Sequence, residues 1–410
     1  MRKITIIGGG QSGLQLAIGL IKARNSVRVV QNRTAEDIAT GKVMSSQCMF
    51  HNSVEHEREL GIDFWADTCP PVDGINFQVP APDGSGNKAI DWTGRLDNSA
   101  YSVDQRVKIP AWMAEFERLG GTLTIKDASI ADLEHYSRQD DLVIVASGKG
   151  DIGRLFERDA EKSPYETPQR ALALTYVTGM TPRPEHSAVC FNLIPGVGEY
   201  FVFPALTTSG PCEIMVFEGV PGGPMDCWGD VKTPEQHLAT SKKILETFLP
   251  WEAARCESIE LTDDNGILAG RFAPTIRKPI GTLPSGRQVL GLGDAVCLND
   301  PITGQGSNNA AKAAAVYLKR IVAHGDKPFD AAFMQGTFDE FWDYAQWVVS
   351  WTNMMLQPPP PFILNIMGTA CVEPRLAHRM ANGFDDPRDF FPWFADPDAA
   401  EAYLSELKAA

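Results

Sequence analysis

The residues with the clearest chemical purpose are glycines. Gly8-Gly9-Gly10-Gln11-Ser12-Gly13 follows a β-branched apolar run, Ile4 to Ile7, and precedes LQLAIGLIKA, whose apolar spacing is helical. In such a GxGxxG turn Gly8 permits the tight bend, Gly10 lets backbone approach a pyrophosphate, and Gly13 lets the helix close on the strand. The helix start, at Gln11 and Ser12, presents N–H groups to the anion. This motif serves FAD and NAD alike. A second turn separates them. Gly291-Leu292-Gly293-Asp294 ends a strand, and Pro301-Ile302-Thr303-Gly304-Gln305-Gly306-Ser307-Asn308 opens a long helix. A carboxylate at Asp294 suits the ribityl hydroxyls of a flavin. A glycine-rich helix start can stabilise negative charge on the pyrimidine edge of reduced flavin. The two turns together predict an FAD site.

One expected group is missing. Residues 27–34 read VRVVQNRT and end the second strand, where a carboxylate usually meets the ribose hydroxyls. Here stand Gln31, Asn32 and Arg33. Either Asn32, Arg33 or a distant residue takes over that contact, or the dinucleotide is held weakly. No metal site is predicted: His51 and His56 are five apart, not the spacing of ligands on one helix face, and are read as structural or surface residues. The eight cysteines form no CxxC pair and are read as reduced thiols.

These residues need a frame. Ile4–Ile7, the following helix and the strand at 26–30 make a βαβ unit. Residues 109–121 read as a helix ending in glycine, and Leu142 to Ala146 as another buried strand running into the glycine turn around Gly148. Between 166 and 228, short aromatic and β-branched runs separated by Gly and Pro predict an antiparallel sheet. The row Phe338, Phe341, Tyr344, Trp347 and Trp351 has helical spacing and is read as core packing, or else as a docking surface. The expected fold is α/β: a Rossmann-type FAD-binding domain with an inserted antiparallel substrate sheet and a helical C-terminus. The expected division is 1–165 and 281–330 for the FAD domain, 166–280 for the substrate sheet and 331–410 for the helical region.

Composition narrows the partners. A formal charge of -15 argues against nucleic acid, which needs clustered Lys and Arg. No apolar stretch spans a bilayer and the N-terminal apolar run is too short for a signal peptide, so a cytoplasmic protein is expected, without a membrane partner.

Beyond the FAD fold of the para-hydroxybenzoate hydroxylase type, nearly the whole chain resembles the oxygenase component of two-component styrene and indole monooxygenases. The resemblance rests on IIGGGQSGLQLA, SVDQR, SPYETPQRALAL, GVGEYFVFPAL, GLGDAVCLNDPITGQGSN and SWTNMML. It implies diffusible FAD supplied reduced by an NADH-dependent flavin reductase, and reaction with O2 through a C4a-hydroperoxyflavin. It further implies epoxidation of the 2,3-bond of indole, leading to indigo, and of vinyl aromatics such as styrene. Single-component hydroxylases of this fold carry an Asp-Gly pair after the third glycine turn; here Ser147-Gly148-Lys149-Gly150 leads to Asp151-Ile152. A single-component NAD(P)H-dependent aromatic hydroxylase is thereby disfavoured. A non-catalytic flavin-fold binding protein is the other alternative. The resemblance places Lys42 near the flavin, unless it is a surface charge, and makes Arg106 the better flavin-contacting cation. It nominates Ser45, Gln47, Met49, Val72, Ile75 and Ala100 as an indole-type pocket. Gln47 would accept the indole N–H; Met49, Val72 and Ile75 would supply apolar surface or simply pack the core.

Overall fold

The computed structural model describes residues 1–148 and 150–409. Among the described residues sixteen strands form two large sheets and one two-stranded ribbon. In chain order they are β1 (Lys3–Ile7), β2 (Ser26–Gln31), β3 (Pro71–Pro80), β4 (Lys88–Tyr101), β5 (Thr122–Ile125), β6 (Leu142–Val145), β7 (Ala171–Thr178) and β8 (Val189–Ile194). Then come β9 (Gly198–Thr207), β10 (Gly210–Gly219), β11 (Glu260–Leu261), β12 (Ile267–Gly270), β13 (Thr275–Ile276), β14 (Ile280–Thr282), β15 (Gln288–Gly291) and β16 (Cys297–Leu298).

The first sheet runs β14-β15-β6-β1-β2-β5 and is parallel except for β14. Its central strands, KITII and LVIV, are β-branched and buried on both faces, as parallel strands between helices must be. The helix Gln11–Lys22 lies on one face, packed against the helix Gly306–His324. The N- and C-terminal glycine motifs are thus brought onto one unit.

The second sheet runs β11-β7-β10-β9-β8-β3-β4, with β12 also on β7. It departs from expectation in its membership. The hairpin β3–β4 comes from inside the expected 1–165 segment, yet it forms one flank of this sheet. Its link is a parallel pairing, Ile75↔Val189 to Gln78↔Asn192. All other pairings in the sheet are antiparallel. Both faces are apolar. One packs on the helices after residue 331; the other is covered by the helix Pro234–Phe248. That helix starts with a capping box at Thr233, where Gln236 returns the bond.

The QPPPP stretch separates the long helix Ala331–Met355 from Pro361–Ala370. Proline lacks the N–H that would continue the first helix but fits the first turn of the second. Phe338 and Phe341 enter the core of the first sheet and Trp351 that of the second, while Trp347 is 36% exposed and touches Phe391. The eight cysteines are all free thiols. Among the described residues no cluster suits a metal ion, and no helix is long and apolar enough to cross a membrane.

Candidate flavin and substrate site

Three loops meet at the C-terminal edge of the first sheet, where open α/β sheets bind ligands. After β1, Gly8 adopts φ +106°, and a Cβ on Gly13 would collide with the Gly8 carbonyl oxygen. Only glycine lets the helix close here. Gly10 differs: it is exposed, and a Cβ there would meet nothing within 4 Å. Its open side is where a pyrophosphate can approach. After β15, a Cβ on Gly293 would come 2.6 Å from Ser12 Oγ. After β6, a Cβ on Gly148 would come 3.0 Å from the Asp294 carbonyl oxygen. Lys149, in the same turn, lies outside the described residues. Gly8–Gly13, Gly148 and Asp294 are therefore mutual neighbours, and this cradle fits a dinucleotide. Gly13→Ala is expected to weaken FAD binding by roughly tenfold or more, equivalent to about 1.4 kcal/mol, measured by flavin fluorescence titration.

The side chains around the cradle are arranged differently from the residue-type expectation. Gln11 turns inward, its Nε2 donating to Glu57 Oε1 at 2.8 Å and Gln15 Oε1 at 3.1 Å. Only its backbone faces the loop. Gln31 covers Gly9, Asn32 is exposed, and Arg33 Nη2 reaches Met44 Sδ at 2.6 Å. Asp294 is exposed at the loop edge, beside Arg277, which donates to its carbonyl oxygen at 3.3 Å. Lys42 is exposed; burial, and then the charge of Lys42, push His237 down to about 4.

Arg106, expected to face the flavin, is engaged within the protein. Nε donates to Asp104 at 2.9 Å, Nη1 to Gly41 O and Asp263, and Nη2 to Thr207 Oγ1 and Asp263. All five guanidinium N–H groups are engaged within the protein. The residue is a clamp between four chain segments, with no donor left for a flavin.

The second motif makes the turn expected of it. Asp300 Oδ1 accepts the Ile302 N–H at 3.1 Å, capping the short helix Pro301–Thr303. Gly304 then takes φ +65°, and the helix Gly306–His324 begins with Ser307 half-buried. Gln305 and Asn308 contribute their side chains inward. Gln305 Nε2 donates to Phe384 O at 2.8 Å. Asn308 takes the Phe50 N–H at 2.9 Å and donates to Cys48 O and Gly304 O. Asn308 thereby brackets the 48–50 segment to the turn, so both residues hold the turn with their side chains instead of reaching for the cofactor.

Against this turn lies a cavity of about 40 Å³, lined by Ser46, Cys48, Phe50, Phe384, residues 301–304, and Val189, Phe191, Phe201, Phe203 and Val216 of the second sheet. Its lining contains no acid or base. Burial raises the Cys48 thiol far above its ordinary range, so it stays neutral. The nominated residues fall on the other phase of the same segment. Ser45 Oγ bonds Gln47 Oε1 and Gln105 Nε2, both at 2.9 Å, and Gln47 Nε2 donates to Val103 O. Met49 is buried in the core of the first sheet, its Sδ 3.3 Å from Lys108 Nζ. Val72, Ile75 and Ala100 are buried in the second core. Thus Met49 does not share a wall with Val72 and Ile75. The aromatic lining was readable: Val189 and Phe191 on β8, and Phe201 and Phe203 on β9, stand at alternate strand positions, which face one side.

A larger groove, about 820 Å³, lies between the helices and is lined by Glu55, His56, Lys319 and Glu340 among others. It touches none of the glycine turns and is highly charged, so the aromatic cavity is the better candidate for an apolar substrate.

Comparison with known proteins agrees with this geometry. A family model described as the styrene monooxygenase A putative substrate binding domain matches residues 148–255. The styrene monooxygenase StyA of Pseudomonas fluorescens is 28% identical, over 97% of this chain and 96% of its own. Among solved structures, the flavin-dependent brominase Bmp2 superposes with a TM-score of 0.65 at 14% identity, covering 99% of both chains. PqsL, a probable FAD-dependent monooxygenase from Pseudomonas aeruginosa, gives 0.59 at 13% identity, covering 87% of this chain and 95% of that one. The fold is the para-hydroxybenzoate-hydroxylase-like FAD-binding fold. The similarities support a flavin-dependent monooxygenase that is styrene monooxygenase-like.

Proposed function

We propose that this chain is the oxygenase component of a two-component system. It takes reduced, diffusible FAD from a separate NADH-dependent reductase and uses O2 to epoxidise the C=C bond of a neutral aromatic, either a vinyl arene such as styrene or the 2,3-bond of indole. The observation that carries this reading is an aromatic cavity, free of acid or base, set directly against the Pro301–Gly304 turn.

Bound reduced flavin supplies the electrons that activate O2 for transfer to an alkene. The protein's task is then to orient and to keep water out. Gly8–Gly13 would hold the pyrophosphate, Asp294 the ribityl chain, and the backbone of 304–306 the pyrimidine edge. Phe191, Phe201 and Phe203 would exclude water and present the ring of the substrate. At about 40 Å³ the cavity is smaller than the ~150 Å³ that holds benzene in an engineered core, so its lining must open to admit a ring. The absence of a carboxylate at Gln31–Arg33 supports loose retention of the dinucleotide.

The test is reconstitution. The purified chain with FAD and NADH should leave NADH unoxidised; added flavin reductase should start formation of styrene oxide, and of indigo from indole. Direct NADH oxidation by the chain would mean a single-component hydroxylase. Failure to bind FAD in either redox state would mean a non-catalytic binding protein.

A further inference from the structure

Glu199 and Glu218 lie directly opposite each other on β9 and β10, and both are buried, 2% and 0% exposed. Like charges facing across strands repel. Among the described residues only Glu199 has an ion-pair partner. Arg170 grips Glu199 through Nε at 2.6 Å and Nη2 at 2.9 Å, and its other bonds go to the carbonyls of Gln169 and Leu356. Neither carboxyl oxygen of Glu218 receives a hydrogen bond from an N–H or hydroxyl group among the described residues. Glu218 is close enough to interact with Asp300, the residue that caps the Pro301–Thr303 helix. Two ionised carboxylates do not share a dry site; one keeps a proton. Burial, then the charges of Asp300 and Glu199, raise Glu218 well above the usual carboxylate range, with Arg170 opposing. Burial also raises Asp300, but the Ile302 N–H favours its ionised form. These influences favour Glu218 as the partner that keeps the proton.

The location gives this pair a role. Val216 and Phe201 form the neighbouring same-face rung of the two strands and line the aromatic cavity. Asp300 immediately precedes the turn that closes it. We propose that Glu218 is a positioning residue: as a neutral carboxylic acid it donates a hydrogen bond to Asp300, and this bond sets the Pro301–Gly306 turn for reduced flavin. The inference rests on reading that turn as the flavin site.

Two variants test it. Glu218→Gln keeps a donor and cannot ionise; Glu218→Leu fills the space without a donor. The readouts are the Kd of reduced FAD, titrated anaerobically from pH 6 to pH 10, and the melting temperature. For the wild type, affinity should fall at least ~tenfold as pH rises through the ionisation of Glu218, because the donor is lost. Stability should fall in the same direction: with the folded-state pKa raised, the unfolded chain gives up its proton first. Glu218→Gln should bind as the wild type does at low pH and show neither slope. Glu218→Leu should bind, at every pH, roughly tenfold more weakly than the wild type does at low pH, and should melt somewhat lower because buried Asp300 loses its donor. Equal affinity of Glu218→Leu and wild type at low pH, or a Glu218→Gln profile that falls as the wild type's does, overturns the inference and leaves the flavin reading intact. If the wild type itself binds no FAD, the flavin reading fails, and this inference with it.

Discussion

Arg106→Met is expected to destabilise the protein by about 3–5 kcal/mol, the cost of removing one partner from a buried ion pair, read as a shifted midpoint in urea unfolding. Arg106 is 3% exposed and Asp104 is 1% exposed. Without the guanidinium, Asp104 keeps the Arg106 N–H and the Thr207 hydroxyl but loses its counter-charge. Asp263, a third exposed at its side chain, can turn to water and contributes less to the loss. The loop at Gly41, the start of the helix Gln105–Arg118, β9 and the loop before β12 would then be untied together. Arg106→Lys should recover only part of the stability, since an ammonium cannot reproduce the planar five-donor fork. A normal unfolding midpoint combined with weakened FAD binding would instead make Arg106 a flavin contact and refute the clamp.

Val216→Trp should lower product formation more than ~100-fold, because misplacing a substrate by an ångström is enough for such a loss. Val216 sits opposite Phe201 and lines the cavity beside the turn at 301–304. An indole side chain there overfills a cavity of about 40 Å³. Overpacking also costs about 1–3 kcal/mol of stability, so melting temperature and reduced-FAD affinity must be followed alongside turnover. The expected signature is retained FAD binding, continued flavin reoxidation by O2 and lost substrate oxidation. Met49→Leu, in the other core, should leave turnover within about twofold, since volume-conserving apolar swaps are well tolerated. The opposite pattern, a sensitive Met49 and an indifferent Val216, would put the substrate on the Ser45–Gln47–Met49 side.

The first sheet was legible because its signals are local. β-branched runs, glycine turns and helical spacing lie next to one another at Ile4–Lys22, and the turn at 301–306 spells its own conformation. The membership of β3 and β4 was not legible, because pairing with β8 depends on residues far along the chain. β4 is also largely polar on one face and offers a weaker hydrophobic pattern. Along residues 45–50, alternation was visible, but alternation has two phases, and only the Asn308 bracket to Cys48 and Phe50 selects one. The clamp at Arg106 was hidden for the same reason: Asp104 is local, but Thr207 and Asp263 come from distant segments. Glu218 carried no signal in its neighbourhood, since its meaning arises from Glu199 opposite and Asp300 beyond.

The parallel junction of β3 with β8 has a consequence for how the molecule can be divided. The chain enters the second sheet, returns to the first through β5 and β6, and re-enters the second at β7. A fragment spanning 148–255 would carry β8 with the Ile75–Gln78 side of its ladder bare, an adhesive edge open to any passing strand. The two sheets are laced like a shoe, and neither half is an autonomous module to be cut out or grafted elsewhere.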